Sequence, residues 1–362
     1  MRFLFLILVF LAGFSMIHAD DSIPKIKQKR DLPHKIGDVG TKYLKHLNKV
    51  DPNYIEQQKY NYTFMLQNTQ NYEAYQLRSK SGHSIRFSPN PSLKMGPYFG
   101  WRWIFLGYTF DLNHLSKKEN KTEFDLSIYS STIGIDLYYK KSGENYKIRS
   151  VHLDDGINTR MLRDVSFSGF TTRLKGFNVY YIFNHRKFSY PAAFSQSTRQ
   201  LRSCGSPLIG IGYLRHKLNL DAPLLEHVIN TAIGYPEDES AVDSTMLFDE
   251  IRFSDYNISG GYAYNWVFAK NLLFASSLSV ALAYKRSYGE LDKNKINLRD
   301  FDFKNINVDG IGRFGLVWNN SRFYAGASTV IHVYRYQKSR FSMDNFFMNV
   351  NIYAGVNFGR KR

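Results

Sequence analysis

The sequence predicts an all-β protein, a transmembrane antiparallel up-and-down β-barrel of about twelve strands, preceded by a signal peptide and a short basic periplasmic segment. Three observations carry this expectation. Apolar and polar residues alternate with a period of two from about residue 59 onward. The alternating runs are about 12–16 residues long, against about 5–6 for an ordinary soluble strand. Aromatic residues make up 16% of the chain (26 Tyr, 28 Phe, 4 Trp) beside a mean hydropathy of -0.37. Many aromatics without overall hydrophobicity suit strands that are apolar on one side only, with aromatic girdles at two membrane interfaces.

The chain opens MRFLFLILVFLAGFSMIHADDS. Arg2 is a short basic start, Phe3 to Phe14 is apolar, and Ala19 is a small residue at a plausible cleavage point. The apolar run is shorter than the about 20 residues a spanning helix needs. Residues 1–19 therefore read as a secretory signal, with an uncleaved anchor as the competing reading. No cysteine stands directly after the cleavage point, which argues against a lipid anchor. Residues 20–58 form a segment carrying Lys25, Lys27, Lys29, Arg30, Lys35, Lys42, Lys45 and Lys49 among several acids, in a chain of net charge +17. Such charge often marks nucleic-acid binding. In an exported chain it fits anionic lipid headgroups better. The single cysteine, Cys204, rules out an intramolecular disulfide, and a chain of 362 residues can bury enough surface without one.

Strands are expected near 59–68, 71–79, 83–88, 95–111, 124–142, 171–184, 190–217, 250–268, 272–287, 303–318, 322–337 and 343–358, making one barrel over 59–358. In 257–268, Ile258, Tyr262, Tyr264, Trp266 and Phe268 oppose Asn257, Ser259, Gly261, Ala263 and Asn265. In 272–284, Leu272, Phe274, Leu278, Val280, Leu282 and Tyr284 oppose Ala275, Ser277, Ser279, Ala281 and Ala283. In 322–336, Phe323, Ala325, Ala327, Ile331 and Val333 oppose Tyr324, Gly326, Ser328, His332 and Tyr334. In 346–358, Phe346, Met348, Val350, Ile352, Ala354, Val356 and Phe358 oppose Asn349, Asn351, Tyr353, Gly355 and Asn357. In a membrane barrel the apolar set faces lipid and the small polar set faces the lumen.

The connections alternate as well. Ala269-Lys270-Asn271 and Asn319-Asn320-Ser321 are tight turns, whereas 150–170, 219–247 and 287–302 are long polar loops. Short turns at one end, long loops at the other and an even strand number place both termini in the periplasm. The competing fold is a soluble β-sandwich or small barrel with its apolar face inward. Period two is common to both, but strand length, aromatic load and loop asymmetry favour the membrane form. At the C-terminus, Tyr353-x-Gly355-x-x-Phe358 resembles the closing signal of outer-membrane barrels, and Gly359-Arg360-Lys361-Arg362 then departs from it.

PYFGWRWIFLGYTFDL (Pro97–Leu112), FDLSIYSSTIGIDLYYKKSGENYKIR (Phe124–Arg149) and YYIFNHRKFSYPAAFSQSTRQLRSCGS (Tyr180–Ser206) are similar to the DUF4421 family. The resemblance runs from about Tyr54 to Phe358, and Asn184–Ser206 is its most specific part. It implies an exported outer-membrane β-barrel of Bacteroidota. It carries no known catalytic residues, so none is transferred.

No P-loop, HExxH, CxxC, EF-hand or nucleophile-elbow pattern stands in a suitable context. Gly210-Ile211-Gly212 and Gly310-Ile311-Gly312 fall in strands, where glycine admits close neighbours. His185, Ser189, Ser195 and Gln196 are weak catalytic candidates, because acyl chemistry needs a hydroxyl, a base within reach and an orienting group. Against them, Asn184–Lys187 reads as a tight turn, Pro191 as the start of the next strand, and Ser195 and Ser197 as one parity of that strand. The plainer reading lines the lumen with Gln200, Arg202, Cys204 and Ser206, joined by Asp136, Lys285 and Arg313. Charges inside a narrow barrel are expected to pair. Asp154-Asp155 and Glu237-Asp238-Glu239 read as solvated loop acids, with cation binding as the alternative.

No cofactor or metal is expected. The expected partners are outer-membrane lipids and the barrel assembly machinery; nucleic acid is not one, and the sequence names no small-molecule cargo. The function this supports is a non-enzymatic narrow pore or a structural and surface protein of the outer membrane. A lipid-acting enzyme, an acyl hydrolase or acyltransferase, is the competing class.

Overall fold

The computed structural model describes residues 50–361, apart from 102–103, 108–109, 112–120, 155, 237–238, 289–304 and 338–340. The expected signal, residues 20–49 of the basic segment and most of the 287–302 loop lie outside the described residues, as do Asp155, Glu237 and Asp238.

The described chain is nearly all strand. In order it forms β1 (Ile55–Gln57), β2 (Tyr60–Ser79), β3 (Ser84–Pro89), β4 (Ser92–Trp101), β5 (Ile104–Gly107), β6 (Phe110–Asp111), β7 (Thr122–Tyr129), β8 (Ile133–Lys141) and β9 (Tyr146–His152). β10 (Val165–Ser166) and β11 (Phe170–Ile182) follow, then a short helix α1 (Tyr190–Phe194), β12 (Thr198–Gln200) and β13 (Cys204–Leu220). After a second helix, α2 (Ala222–Ile233), the chain ends as a meander of β14 (Glu250–Ala269), β15 (Leu272–Tyr288), β16 (Ile306–Asn319), β17 (Phe323–Gln337) and β18 (Phe341–Arg360).

Sixteen of these strands share one antiparallel sheet. Neighbours in sequence pair from β13 through β18, and β18 then pairs with β2, so the first long strand lies beside the last. On the other flank β11 pairs with β8, and β8 with β7. β9, the continuation of β8, pairs with β3 beside β2, which brings the two flanks together. The result is an up-and-down barrel. Tyr60 and Arg360 are register partners, so the sheet starts and finishes at the same end. The tight turns at 130–132, 270–271 and 320–322 lie at that end. They are closed by local chemistry: Asn271 and Ser321 hold left-handed φ of 65° and 77°, and Asn320 Oδ1 accepts from Phe323 N at 2.8 Å.

The alternation resolves as expected. Ile258, Tyr262, Trp266, Leu278, Val280 and Leu282 point out and are exposed, while Ser259, Ala263, Asn265, Ala275, Ser277 and Ala283 point in and are buried. At the long-loop end the interior is closed by an apolar cluster that includes Tyr75, Phe87, Tyr146, Phe170, Phe253 and Met343. α2 lies on this cluster with Leu225 and Ile229; its first turn is capped by Asp221 and its end by Gly234 in the left-handed conformation.

Several expected boundaries are corrected. The run 59–79 is one 20-residue strand, β2, and its polar QNTQN centre is no loop. Gln67, Thr69 and Asn71 face inward and bond there, with Thr69 Oγ1 to Asn351 Oδ1 at 2.7 Å. The run 124–142 is a hairpin, β7 and β8, turning at Ser130, whose Oγ accepts from Ile133 N at 2.9 Å. The run 95–111 likewise turns back, with Trp101 paired to Ile104. The run 190–217 is not one strand: α1 and β12 precede β13. Pro191 sits in the first turn of α1, where its missing N–H costs nothing, and not at a strand start. Finally, Ile55–Gln57 of the N-terminal segment pairs with β12.

Candidate functional site

The barrel interior is where chemistry-bearing side chains gather, and it is bonded at three levels. The lowest is built by the segment after β11. Asn184–Lys187 does form a turn, closed by Lys187 N donating to Asn184 O at 3.0 Å. The chain then enters the barrel mouth as α1. Tyr190 is fully buried, its hydroxyl 2.5 Å from Ser277 Oγ on β15. Gln196 Nε2 donates to Tyr353 OH at 2.9 Å, and its Oε1 accepts from Asn319 Nδ2 at 3.2 Å. Gln200 Oε1 accepts from Ser189 N at 3.0 Å and from Asn265 Nδ2 at 3.1 Å, while its Nε2 donates to the Lys187 carbonyl at 2.6 Å. These amides bolt the helix to β14, β16 and β18.

The weak catalytic candidates are not brought together. Ser189 caps α1, accepting from Ala192 N at 3.3 Å, and its Oγ lies 2.7 Å from Thr198 Oγ1. Ser195 Oγ contacts the Pro191 carbonyl and Ser197 Oγ. Gln196 holds the plug. His185 Nδ1 lies 3.3 Å from the Ile182 carbonyl of its own turn, and its ring sits against Tyr181. None of the hydrogen bonds of these four joins a hydroxyl to the His185 imidazole, so the four do not form a nucleophile–base pair.

The middle level holds the ions. Arg313 on β16 reaches across the interior to Asp136 on β8, Nη2 to Oδ2 at 2.5 Å, with Ser127 Oγ donating to Asp136 Oδ1 at 2.7 Å. The guanidinium lies 4.9 Å from the Tyr180 ring centroid. Gly134 makes room for that ring: a Cβ there would stand 2.1 Å from Tyr180 Cζ. Lys285 on β15 bonds Asp309 at 2.7 Å, the Arg335 carbonyl at 2.5 Å and Asp255 at 3.4 Å. Lys285 and Arg313 are 1% and 2% exposed, so these charges depend on each other rather than on water. A third cluster lies by β7, where Glu123 accepts from Lys94 at 2.5 Å and Asn71 at 2.9 Å and stands 3.2 Å from Lys140.

The upper level is aromatic. Tyr75 OH lies 3.2 Å from His216 Nε2, and Tyr146 bonds both Glu73 and Thr172. Of the four charged lumen candidates, Asp136, Lys285 and Arg313 stand inside. Arg202 is a correction: it precedes β13, is exposed, and lies over the Tyr54 ring with 5.9 Å from Cζ to centroid. The strand expected across 190–217 would have carried it inward; the break at α1 and β12 leaves it beneath the barrel. Sequence reading missed Asp255, Asp309, Glu73 and Glu123. Parity would have found the first two, which share the inward rows of Ser259 and Arg313. Of the loop acids, Asp154 is bonded to His83 Nε2 at 2.9 Å.

The chain belongs to the DUF4421 family, a domain of unknown function, whose family model matches residues 49–358. No curated protein matches it. Among solved structures, the outer membrane protease OmpT from Escherichia coli aligns at 7% identity and a TM-score of 0.32, covering 86% of this chain and 100% of that one. The toluene transporter TodX of P. putida aligns at 9% identity and 0.22, covering 83% and 91%. The outer membrane protein OprG from Pseudomonas aeruginosa aligns at 6% identity and 0.22, covering 84% and 98%.

Proposed function

We propose that this member of the DUF4421 family is an outer-membrane β-barrel that works through its outer wall and surface, with a lumen filled rather than open. The observation that carries the reading is the crossing of the interior by Arg313–Asp136, between the α1 plug below and the apolar cluster above. A conducting path would have to part that pair, whose desolvated charges are costly to separate. The membrane location is supported by the outer face. Ile258, Leu278, Val280, Leu282 and Val308 form an exposed apolar belt, and Tyr62, Trp266, Trp318, Phe323 and Phe358 are exposed near the short-turn end. In water such a belt would drive aggregation; in a bilayer it is the solvated face. With the short turns on the periplasmic side, both ends of the chain lie in the periplasm.

Recordings from purified protein in planar bilayers test the filled lumen. The expected trace has no discrete conductance steps. Reproducible single-channel steps from the folded wild-type protein would restore the narrow pore.

A further inference from the structure

The barrel wall is interrupted on one flank of β2, between β3 and β4. β4 pairs with Tyr62–Asn71 and β3 with Tyr75–Arg78, so Tyr72, Glu73 and Ala74 belong to neither ladder. The jog Pro89-Asn90-Pro91 makes the break, since a proline has no N–H to give a ladder. Ser88 Oγ mends it in part by donating to the Glu73 carbonyl at 2.5 Å. A cavity of about 730 Å³ opens at this point. Glu73 lines it from the inward row of β2, and Tyr72 and Ala74 from the outward row. An intact sheet could not offer both rows to one cavity.

The two walls of the cavity differ in chemistry. Tyr72, Ala74, Phe346 and Met348 make one apolar. Arg86, Arg149 and Arg163, with the Asp164 carboxylate among them, make the other predominantly basic. Arg149 is held in place by Asp164 at 2.5 Å and the Pro89 carbonyl at 2.9 Å. Arg86 and Arg163 are exposed and have no ion pair among the described residues. Glu73, half-buried, is bonded to the Tyr146 hydroxyl.

The height of the cavity on the wall identifies its ligand. Val333, Phe346 and Ala74 are register partners across β17, β18 and β2. Two residues further along, the same three strands present Arg335, Asp344 and Gln76, followed on β2 by Arg78. The apolar belt ends there and the charged rim begins. The cavity straddles that boundary, with its apolar wall in the belt and its arginines toward the rim.

We propose that the gap between β3 and β4 beside β2 binds an anionic phospholipid of the surrounding leaflet. The headgroup pairs with Arg86 and Arg163, and an acyl chain lies on Phe346 and Met348. The assignment rests on the reading of the outer face as lipid-facing. Arginine suits the headgroup because its donors match phosphate oxygens in a fixed fork.

The test uses the folded full chain in neutral-detergent micelles, with its fold verified by heat-modifiable gel mobility. Phosphatidylglycerol and phosphatidylcholine of identical chains are titrated in, and bound lipid is counted by native mass spectrometry. Retention of phosphatidylglycerol should exceed that of phosphatidylcholine by about tenfold. Arg86→Ala with Arg163→Ala should lose about the same factor, whereas Arg215→Ala with Arg252→Ala, two exposed arginines elsewhere, should not. Should the alanine pair fail to fold, Arg86→Gln with Arg163→Gln carries the same expectation. Equal retention of the two lipids, or undiminished retention by the folded double variant, overturns the site. Displacement by an equal concentration of inorganic phosphate overturns the lipid as its source. Recovery of folded protein without detergent would instead sink the membrane reading, whatever the lipid count.

Discussion

The two faces of the same strands obey opposite rules. On β15 Leu278 is 62% exposed and Lys285 is 1% exposed; on β16 Val308 is 57% exposed and Arg313 is 2%. Burial in a water-soluble domain sorts side chains the other way. The outward row is also chemically monotonous, whereas the inward row is specific, with charges and amides such as Arg313, Lys285 and Gln196 matched to particular partners. The difference teaches that the outward row meets a medium that rewards apolar surface without asking for shape. The inward row carries the information that holds one interior arrangement.

Breaking the inward row should cost most. Asp136→Ala strands the Arg313 guanidinium, and removing one member of a buried pair costs about 3–5 kcal/mol. Pairing it with Arg313→Met should recover a large part of that loss. Urea unfolding of the protein refolded into lipid vesicles measures both, and an Asp136→Ala variant as stable as wild type would mean the pair is not formed. Outward, Leu278→Arg should cost about 2–4 kcal/mol in vesicles, the penalty for a cation near the bilayer midplane. On a water-exposed surface the same change stays within about 0.5 kcal/mol, so this variant separates the two media. The smallest effect lies outside the belt. Ser81 Oγ at 2.5 Å, and then Thr245 N and Oγ1, hold the Asp243 carboxyl below the usual carboxylate range. Its folded pKa is depressed, so its contribution is present above about pH 4 and is lost as pH falls further. Asp243→Asn should remove that acid dependence, read as amide exchange of the 243–247 turn against pH. An unchanged profile would contradict it.

The outward row was legible in the sequence because a period of two survives any local irregularity. Ile258 to Phe268 and Leu272 to Leu282 needed no tertiary information. The irregularities were harder. The β7–β8 turn has no Gly, Pro or Asn, only Ser130-Ser131-Thr132, so 124–142 read as one strand. A signal was present: apolar residues occupy even positions through Ile128 and odd positions from Ile133, and a parity switch means a turn or bulge. The plug was hidden for a different reason. Tyr190–Phe194 is too short to show helical periodicity, and its stability comes from Ser277, Tyr353 and Asn319 on distant strands. Asp136, Lys285 and Arg313 could be placed inside by parity, but which charge meets which depends on barrel curvature, and no single sequence encodes that openly. Arg202 shows the cost: one unrecognised break upstream moved it out of the barrel.

Contact of the outward face with lipid can be read position by position through nitroxide scanning of β14. Single cysteines at each position from 255 to 266, on a Cys204→Ala background that removes the only native thiol, are labelled and reconstituted in vesicles. Collision rates with oxygen and with a water-soluble nickel chelate are then measured. Oxygen maxima are expected at the even positions, among them Tyr256, Ile258, Tyr262, Tyr264 and Trp266, with the nickel chelate excluded from the same sites. Nickel accessibility that rises together with oxygen at those positions would place the face in water and contradict the membrane barrel.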